Sequence, residues 1–205
     1  MKKILLVLLV VVLGVAGFYW YKFSDSRKGS DVPKQQPLAL KKHSEGFNQA
    51  VAAAMNAYFE MKDAFVDADT SKVKEGCRKF IQLFDSIPMS ELKSDTLNIY
   101  DAAMSSHSNI RSSALSVLQQ TDITEMRKDF SSINENLYPS FFGTINYEGE
   151  NLYWQNCPMA FDDEKEANWI SNSKEVVNPY LGKNHPKYKG GMLHCGSVKD
   201  TIKAK

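Results

Sequence analysis

Between His43 and Phe142 the apolar residues recur every three or four positions, the period of one face of an α-helix, and they do so in four successive blocks. The first carries Phe47, Val51, Met55, Tyr58, Met61 and Phe65, with Ser44 placed as an N-cap, and ends at the polar turn Asp67-Ala68-Asp69-Thr70. The second carries Val73, Cys77, Phe80, Ile81, Phe84 and Ile87 and is closed by Pro88, which cannot continue a helix. The third runs through a serine-rich segment with Leu92, Ile99, Ala103, His107, Ile110, Ala114 and Val117. The fourth opens on Asp122-x-x-Glu125, a pair able to cap a helix start, and continues through Ile123, Met126, Phe130, Ile133, Leu137 and Phe141 to Gly143. Short connections return each helix against its predecessor. The pattern predicts a mainly α fold, an antiparallel up-down-up-down four-helix bundle over residues 44–142.

After Gly143 the period changes. Ile145-Asn146-Tyr147 and Leu152-Tyr153-Trp154, separated by the polar run Glu148-Gly149-Glu150-Asn151, predict a small hairpin. Beyond it the pattern is irregular, with Phe161, Trp169, Tyr180, Tyr188 and several prolines in place of a repeat. Residues 143–205 are therefore expected to form a C-terminal irregular or small-β tail, containing cysteine and methionine and packed on the bundle.

At the other end, Lys2 and Lys3 precede an uncharged run from Ile4 to Tyr21. The run reaches the length needed to span a bilayer and ends on Tyr19, Trp20 and Tyr21, where interfacial aromatics belong, so residues 1–21 read as a signal anchor in the inner membrane. A cleaved signal peptide cut after Val15-Ala16-Gly17 is the alternative. Either way the body is expected in the periplasm. Residues 22–43, polar and holding Pro33 and Pro37, read as a linker. With 205 residues the chain has room for one domain with a sizeable core. Its 25 Lys and Arg against 24 Asp and Glu leave no basic footprint, which argues against nucleic acid as a partner.

Composition alters this picture at one place, the sulfur donors of the tail. Cys157-Pro158-Met159 and Met192-Leu193-His194-Cys195 put two thiols, two thioethers and an imidazole in two short segments. Polarizable donors of this kind suit Cu(I) better than any hard cation. In an extended run residues two apart point the same way, so Cys157 and Met159 can face one ion. A turn, which Gly190, Gly191 and Gly196 permit, would bring Met192 and Cys195 together. The candidate metal ligands are Cys157, Met159, Met192 and Cys195, with His194 in reserve. Zinc is the rival ion and would draw on Cys157, Cys195, His194 and His185, without methionine. In an oxidising compartment the two tail cysteines can instead pair as a structural Cys157–Cys195 disulfide. A thiol enzyme using Cys157 and His194 lacks the basic or helix-start setting that activates a cysteine, so a noncatalytic role is expected. Asp162-Asp163-Glu164 is too short an acidic run for calcium. Inside the helical region Cys77 and His107 sit on buried stripes and read as packing residues, as do Met55, Met61, Met104 and Met126.

The tail segments Tyr153 to Ala160 (Y-x-Q-x-C-P-M-A), Trp169-Ile170-Ser171, Asn178 to Gly182 (N-P-Y-x-G) and Met192 to Gly196 (M-L-x-C-G) resemble those of a bacterial domain family of unassigned function. Tyr58 to Ala64 and Arg127 to Phe130 match it more loosely, and the likeness spans about residues 45–202. Members of that family also occur attached to periplasmic adaptors of heavy-metal efflux pumps, which implies handling of copper or a related metal and a pump or other envelope protein as partner. Lys183 to Gly191 makes the gap before Met192 longer than the family pattern and adds His185. The expectation is a membrane-tethered periplasmic Cu(I)-binding protein for metal capture, relay or efflux, with a noncatalytic envelope interaction module as the alternative.

Overall fold

The computed structural model describes residues 41–95, 98–161 and 164–203, all within the unit Gln36–Lys205. The expected membrane segment and the linker up to residue 40 lie outside the described residues, as do Asp162 and Asp163. Among the described residues no helix is long and apolar enough to cross a membrane. The fold is mainly α, with four long helices followed by a three-stranded antiparallel sheet.

Helix α1 spans Glu45–Asp67 and begins where expected, because the Ser44 hydroxyl accepts the Phe47 N–H at 3.1 Å. It ends on Ala68 in the left-handed region (φ 56°), whose N–H reaches back to the carbonyls of Ala64 and Phe65. Asp69 then caps α2 (Thr70–Asp85) by accepting from Ser71 and Lys72 at 3.1 and 3.0 Å. With so short a connection the two helices lie against each other. Helix α2 ends at Asp85 with Ser86 as its cap, short of Pro88, and Met89–Ser94 forms a separate 3-10 turn that buries Leu92. Leu92 therefore belongs to the connection and not to α3, which spans Ile99–Gln119. Asp122 caps α4 (Ile123–Glu135), accepting from Thr124 and Glu125 at 2.8 and 3.1 Å.

The fourth helix is shorter than its apolar period suggests. Its regular part ends at Glu135, and residues 136–141 form a wide turn with Tyr138 in an extended conformation (φ −138°, ψ 131°) before Pro139. Proline offers no N–H and crowds the preceding turn. Leu137 and Phe141 stay fully buried, so the stripe continues although the helix does not.

The predicted hairpin between residues 145–147 and 152–154 is absent. Ile145 and Tyr147 are buried, the latter edge-on to Phe142 at 5.1 Å, so their alternation reflects packing and not strand pairing. Instead β1 (Leu152–Phe161) is the centre of the sheet, between β2 (Lys165–Ser171) and β3 (Ser197–Ile202). Both its edges are occupied, which leaves residues 145–147 no ladder to join.

A buried polar chain holds the sheet on the helices. The Ile170 N–H donates to the Tyr58 hydroxyl (3.0 Å), which donates to Asn134 Oδ1 (2.7 Å). Asn134 Nδ2 donates to the Tyr180 hydroxyl (3.0 Å), and that hydroxyl donates to the Asn168 carbonyl (2.6 Å). Each oxygen has a partner, so the network fixes the docking of α1, α4 and β2 without leaving a buried group bare. Around it pack Phe65, Phe80 and Phe130, with Tyr58 stacked on Phe130 at 5.5 Å between ring centres.

Candidate functional site

Cys157 lies on the central strand and is fully buried, in register with Ala167 of β2. Beyond it the β1–β2 register shifts, so the simple two-residue alternation ends at the cysteine. Pro158 is exposed, Met159 is half-buried and Ala160 is buried again.

Cys195 arrives from the other direction on a short turn. Its N–H donates to the Met192 carbonyl at 3.0 Å, closing the four-residue turn Met192–Cys195 that the glycines permit. Asn178 clamps that turn. Its backbone N–H donates to the Leu193 carbonyl (2.8 Å) and its side-chain Nδ2 to the Cys195 carbonyl (2.9 Å). Its Oδ1 meanwhile accepts from the N–H groups of Tyr180 and Leu181 at 2.8 and 3.0 Å. Fully buried, Asn178 spends its polar atoms on holding two loops together.

Gly196 decides how closely the turn can approach β1. Its φ of 137° disfavours any side chain, and a Cβ there would lie 2.5 Å from the Asn156 carbonyl oxygen and 3.1 Å from Trp169 Cη2. Glycine lets the backbone lie directly on the strand, and the outcome is a thiol pair. The sulfurs of Cys157 and Cys195 are 2.8 Å apart, from positions 38 residues apart in the chain. Both cysteines are free.

Burial and the neighbouring Cys157 thiol push the Cys195 thiol up to about 12. The Cys195 thiol is consequently held in its protonated form near neutrality, where it reacts slowly. Trp169 Nε1 and Gln155 Oε1, on residues directly paired across β1 and β2, are buried without a hydrogen-bond partner.

The other expected donors divide. Met159 and Met192 are partly buried, packed against the core, and sit in the two segments that carry the cysteines. His194 is exposed, and its Nδ1 contacts the Val176 carbonyl at 2.7 Å. His185 is tied into its own turn, with Nδ1 accepting from Lys187 and Tyr188 at 3.3 Å. Among the described residues no group of three or more His, Cys, Asp and Glu side chains is placed to hold a metal ion. Neither histidine therefore completes a set with the two thiols, and the four-ligand zinc arrangement is not assembled here. What the structure brings together here is two thiol sulfurs.

Cys77 and His107 do what their positions on the stripes predict. The Cys77 thiol is buried against the Ala114 carbonyl at 3.2 Å and pushed up to about 12 by that burial. His107 stacks on Phe84 at 4.7 Å and contacts the Phe84 carbonyl at 3.2 Å.

The sequence names Gly196 only for the freedom to turn; its close approach to β1, the Asn178 clamp and the Tyr58–Asn134–Tyr180 chain are not legible there. Asn178 lay inside the quoted N-P-Y-x-G segment, and only its hydrogen bonds show that it acts on Cys195.

Residues 54–146 match the model of a family described as a protein of unknown function, DUF3347. The matched segment takes in the helices from Ala54 onward and stops before β1, so Cys157 and Cys195 lie outside it. Comparison with curated proteins and with solved structures finds no match.

Proposed function

We propose that the protein is a noncatalytic, membrane-tethered periplasmic carrier of Cu(I), serving metal capture, relay or efflux. In this reading residues 44–142 act as an antiparallel four-helix bundle that supports a sulfur site in the tail. One observation carries it: thiols from two distant points of the chain meet, and each lies in a short segment that also carries a methionine. Thiolate and thioether donors favour a soft monovalent ion, and among the described residues no third His, Cys, Asp or Glu joins the thiol pair, which disfavours divalent metals. A metal–sulfur bond of roughly 2.3 Å requires the two sulfurs to move apart by about 1–2 Å, depending on the S–metal–S angle. Cys195, on a turn and partly exposed, is the sulfur placed to make that movement. The resemblance of the tail motifs to those of a bacterial domain family of unassigned function, which implies an association with heavy-metal efflux adaptors, supports this role. It also suggests an efflux-pump or other envelope protein as partner.

The separation itself favours a second reading. At 2.8 Å the sulfurs are nearer to a disulfide, at about 2.05 Å, than to a chelating pair. On that reading the chain is an envelope interaction module whose tail is stapled by Cys157–Cys195.

Anaerobic titration of the reduced protein with Cu(I) against a competing chelator separates the two. The carrier binds stoichiometrically and loses binding when Cys157→Ser and Met159→Leu are combined. Equal binding by the double variant overturns the site. A zinc protein would instead hold metal as purified and be indifferent to Met159.

A further inference from the structure

The two cysteines differ in what can reach them. Cys157 has no exposed surface and lies on a strand paired along both edges. Cys195 is partly exposed on the Met192–Cys195 turn, bounded by Gly196. An incoming disulfide needs an open line of approach to the sulfur that attacks it, and only Cys195 provides one. Once Cys195 carries the incoming group, Cys157 is already in contact with its sulfur, 2.8 Å away in the reduced pair. Closing to bonded length takes a movement of about 0.8 Å, less than opening to hold an ion. Cys77, the third cysteine, is a free thiol buried on α2, where it donates to the Ala114 carbonyl.

We propose that the Cys157–Cys195 pair is a thiol–disulfide exchange site, with Cys195 the entry sulfur and Cys157 the resolving sulfur, and that its oxidation by a disulfide-bearing partner discharges the bound metal. The discharge half rests on the carrier reading above; the exchange half does not.

The chemistry balances in two steps. The Cys195 thiol gives up its proton to solvent and its sulfur attacks R–S–S–R, forming Cys195–S–S–R and releasing one RS⁻, which takes up a proton as RSH. The Cys157 thiol then loses its proton and attacks the Cys195 sulfur, forming Cys157–S–S–Cys195 and releasing the second RSH. From the metal-free dithiol the protein loses two electrons and two protons, and the incoming disulfide gains both. With Cu(I) held by two thiolates those protons have already left on binding, so the two released RS⁻ groups take theirs from solvent and the Cu(I) passes to the chelator. The product has no thiolate left to neutralise a cation, so the metal loses its charged ligands together.

The test uses the full chain, reduced and loaded anaerobically with Cu(I), then treated with oxidised glutathione in the presence of a colorimetric Cu(I) chelator. The expected result is an intact mass lower by two hydrogens, with transfer of the copper to the chelator in step with that loss. Cys157→Ser should accumulate one glutathionyl group at Cys195, while Cys195→Ser should acquire none at Cys157. A wild-type mass that does not fall, or an adduct on Cys157 as readily as on Cys195, overturns the exchange site. Oxidised protein that keeps its copper overturns the discharge. Reduced protein that takes up no copper refutes the carrier reading and the discharge with it, whereas the adduct pattern still decides the exchange site.

Discussion

Gly196→Ala tests whether the thiol pair depends on a backbone that only glycine provides. The new methyl would lie 2.5 Å from the Asn156 carbonyl oxygen and 3.1 Å from Trp169 Cη2. Neither neighbour yields easily, because Asn156 is in the central strand and Trp169 is fully buried beside Tyr180. Strain at a φ of 137° adds about 1–3 kcal/mol for a residue with a side chain. Overpacking of a filled site adds about 1–3 kcal/mol more. The chain can avoid part of this by lifting the Met192–Gly196 turn away from β1, at the expense of the Asn178 clamp and the first β1–β3 pairs. A net loss of about 2–4 kcal/mol follows, bounded above by the free energy of that local opening.

Urea denaturation of the reduced protein measures the loss. With a slope of about 1–3 kcal/mol per molar for a domain of this size, the midpoint should fall by about 0.7 M or more. The same variant should form the Cys157–Cys195 disulfide more slowly, because lifting the turn separates the sulfurs. Gly190→Ala is the control, since the nearest atom to its new methyl is the Lys183 carbonyl oxygen at an ordinary 3.7 Å. It should stay within about 0.5 kcal/mol of wild type. A Gly196→Ala protein as stable as that control, oxidising at the wild-type rate, would refute the argument that close backbone approach sets the thiol separation.

Tyr58→Phe should cost about 2–4 kcal/mol in the same denaturation experiment, because it strands the buried Ile170 N–H and Asn134 Oδ1. Asn178→Ala should lower the melting temperature and speed alkylation of Cys195 several-fold, since the Cys195 carbonyl and the Tyr180 and Leu181 N–H groups lose their shared partner. Alkylation of reduced Cys195 should rise about tenfold per pH unit from pH 7 to 9 without levelling off, because the thiolate reacts and the thiol is held up to about 12; the urea-unfolded chain should level off near pH 9. The same raised thiols, Cys195 and Cys77, keep their protons in the folded state after the unfolded chain has lost them. Equilibrium denaturation should therefore show a stability contribution that is whole below about pH 9 and lost as pH rises towards 12.

The helices were legible because each one buries a single stripe and starts on a side chain that caps it locally. Ser44 and Asp122 do in the structure what their positions suggest. The stripe misleads where burial outlasts the helix, as at Leu137 and Phe141 beyond Tyr138-Pro139. The sheet was harder to read for two opposite reasons. Residues 154 to 157 of β1 are all buried, so the central strand shows no alternation to betray it, and β3 begins with exposed Ser197, Val198 and Lys199, a polar edge with no apolar signal. Alternation at Ile145 and Tyr147 then pointed to the wrong strand pair.

The candidate site divides along the same line. Residue types named the sulfur donors, but their meeting is a tertiary property that depends on groups with no metal chemistry of their own. Asn178 carries the Cys195 turn on its side-chain amide, Gly196 removes the atom that would hold that turn off β1, and the Tyr58–Asn134–Tyr180 chain fixes the sheet against the helices. It follows that the Cys-Pro-Met and Met-x-x-Cys segments are insufficient to define the site. A chain that keeps both but replaces Asn178 and Gly196 should retain every sulfur donor and lose the 2.8 Å thiol pair, leaving Cys157 buried alone and Cys195 as an ordinary exposed thiol.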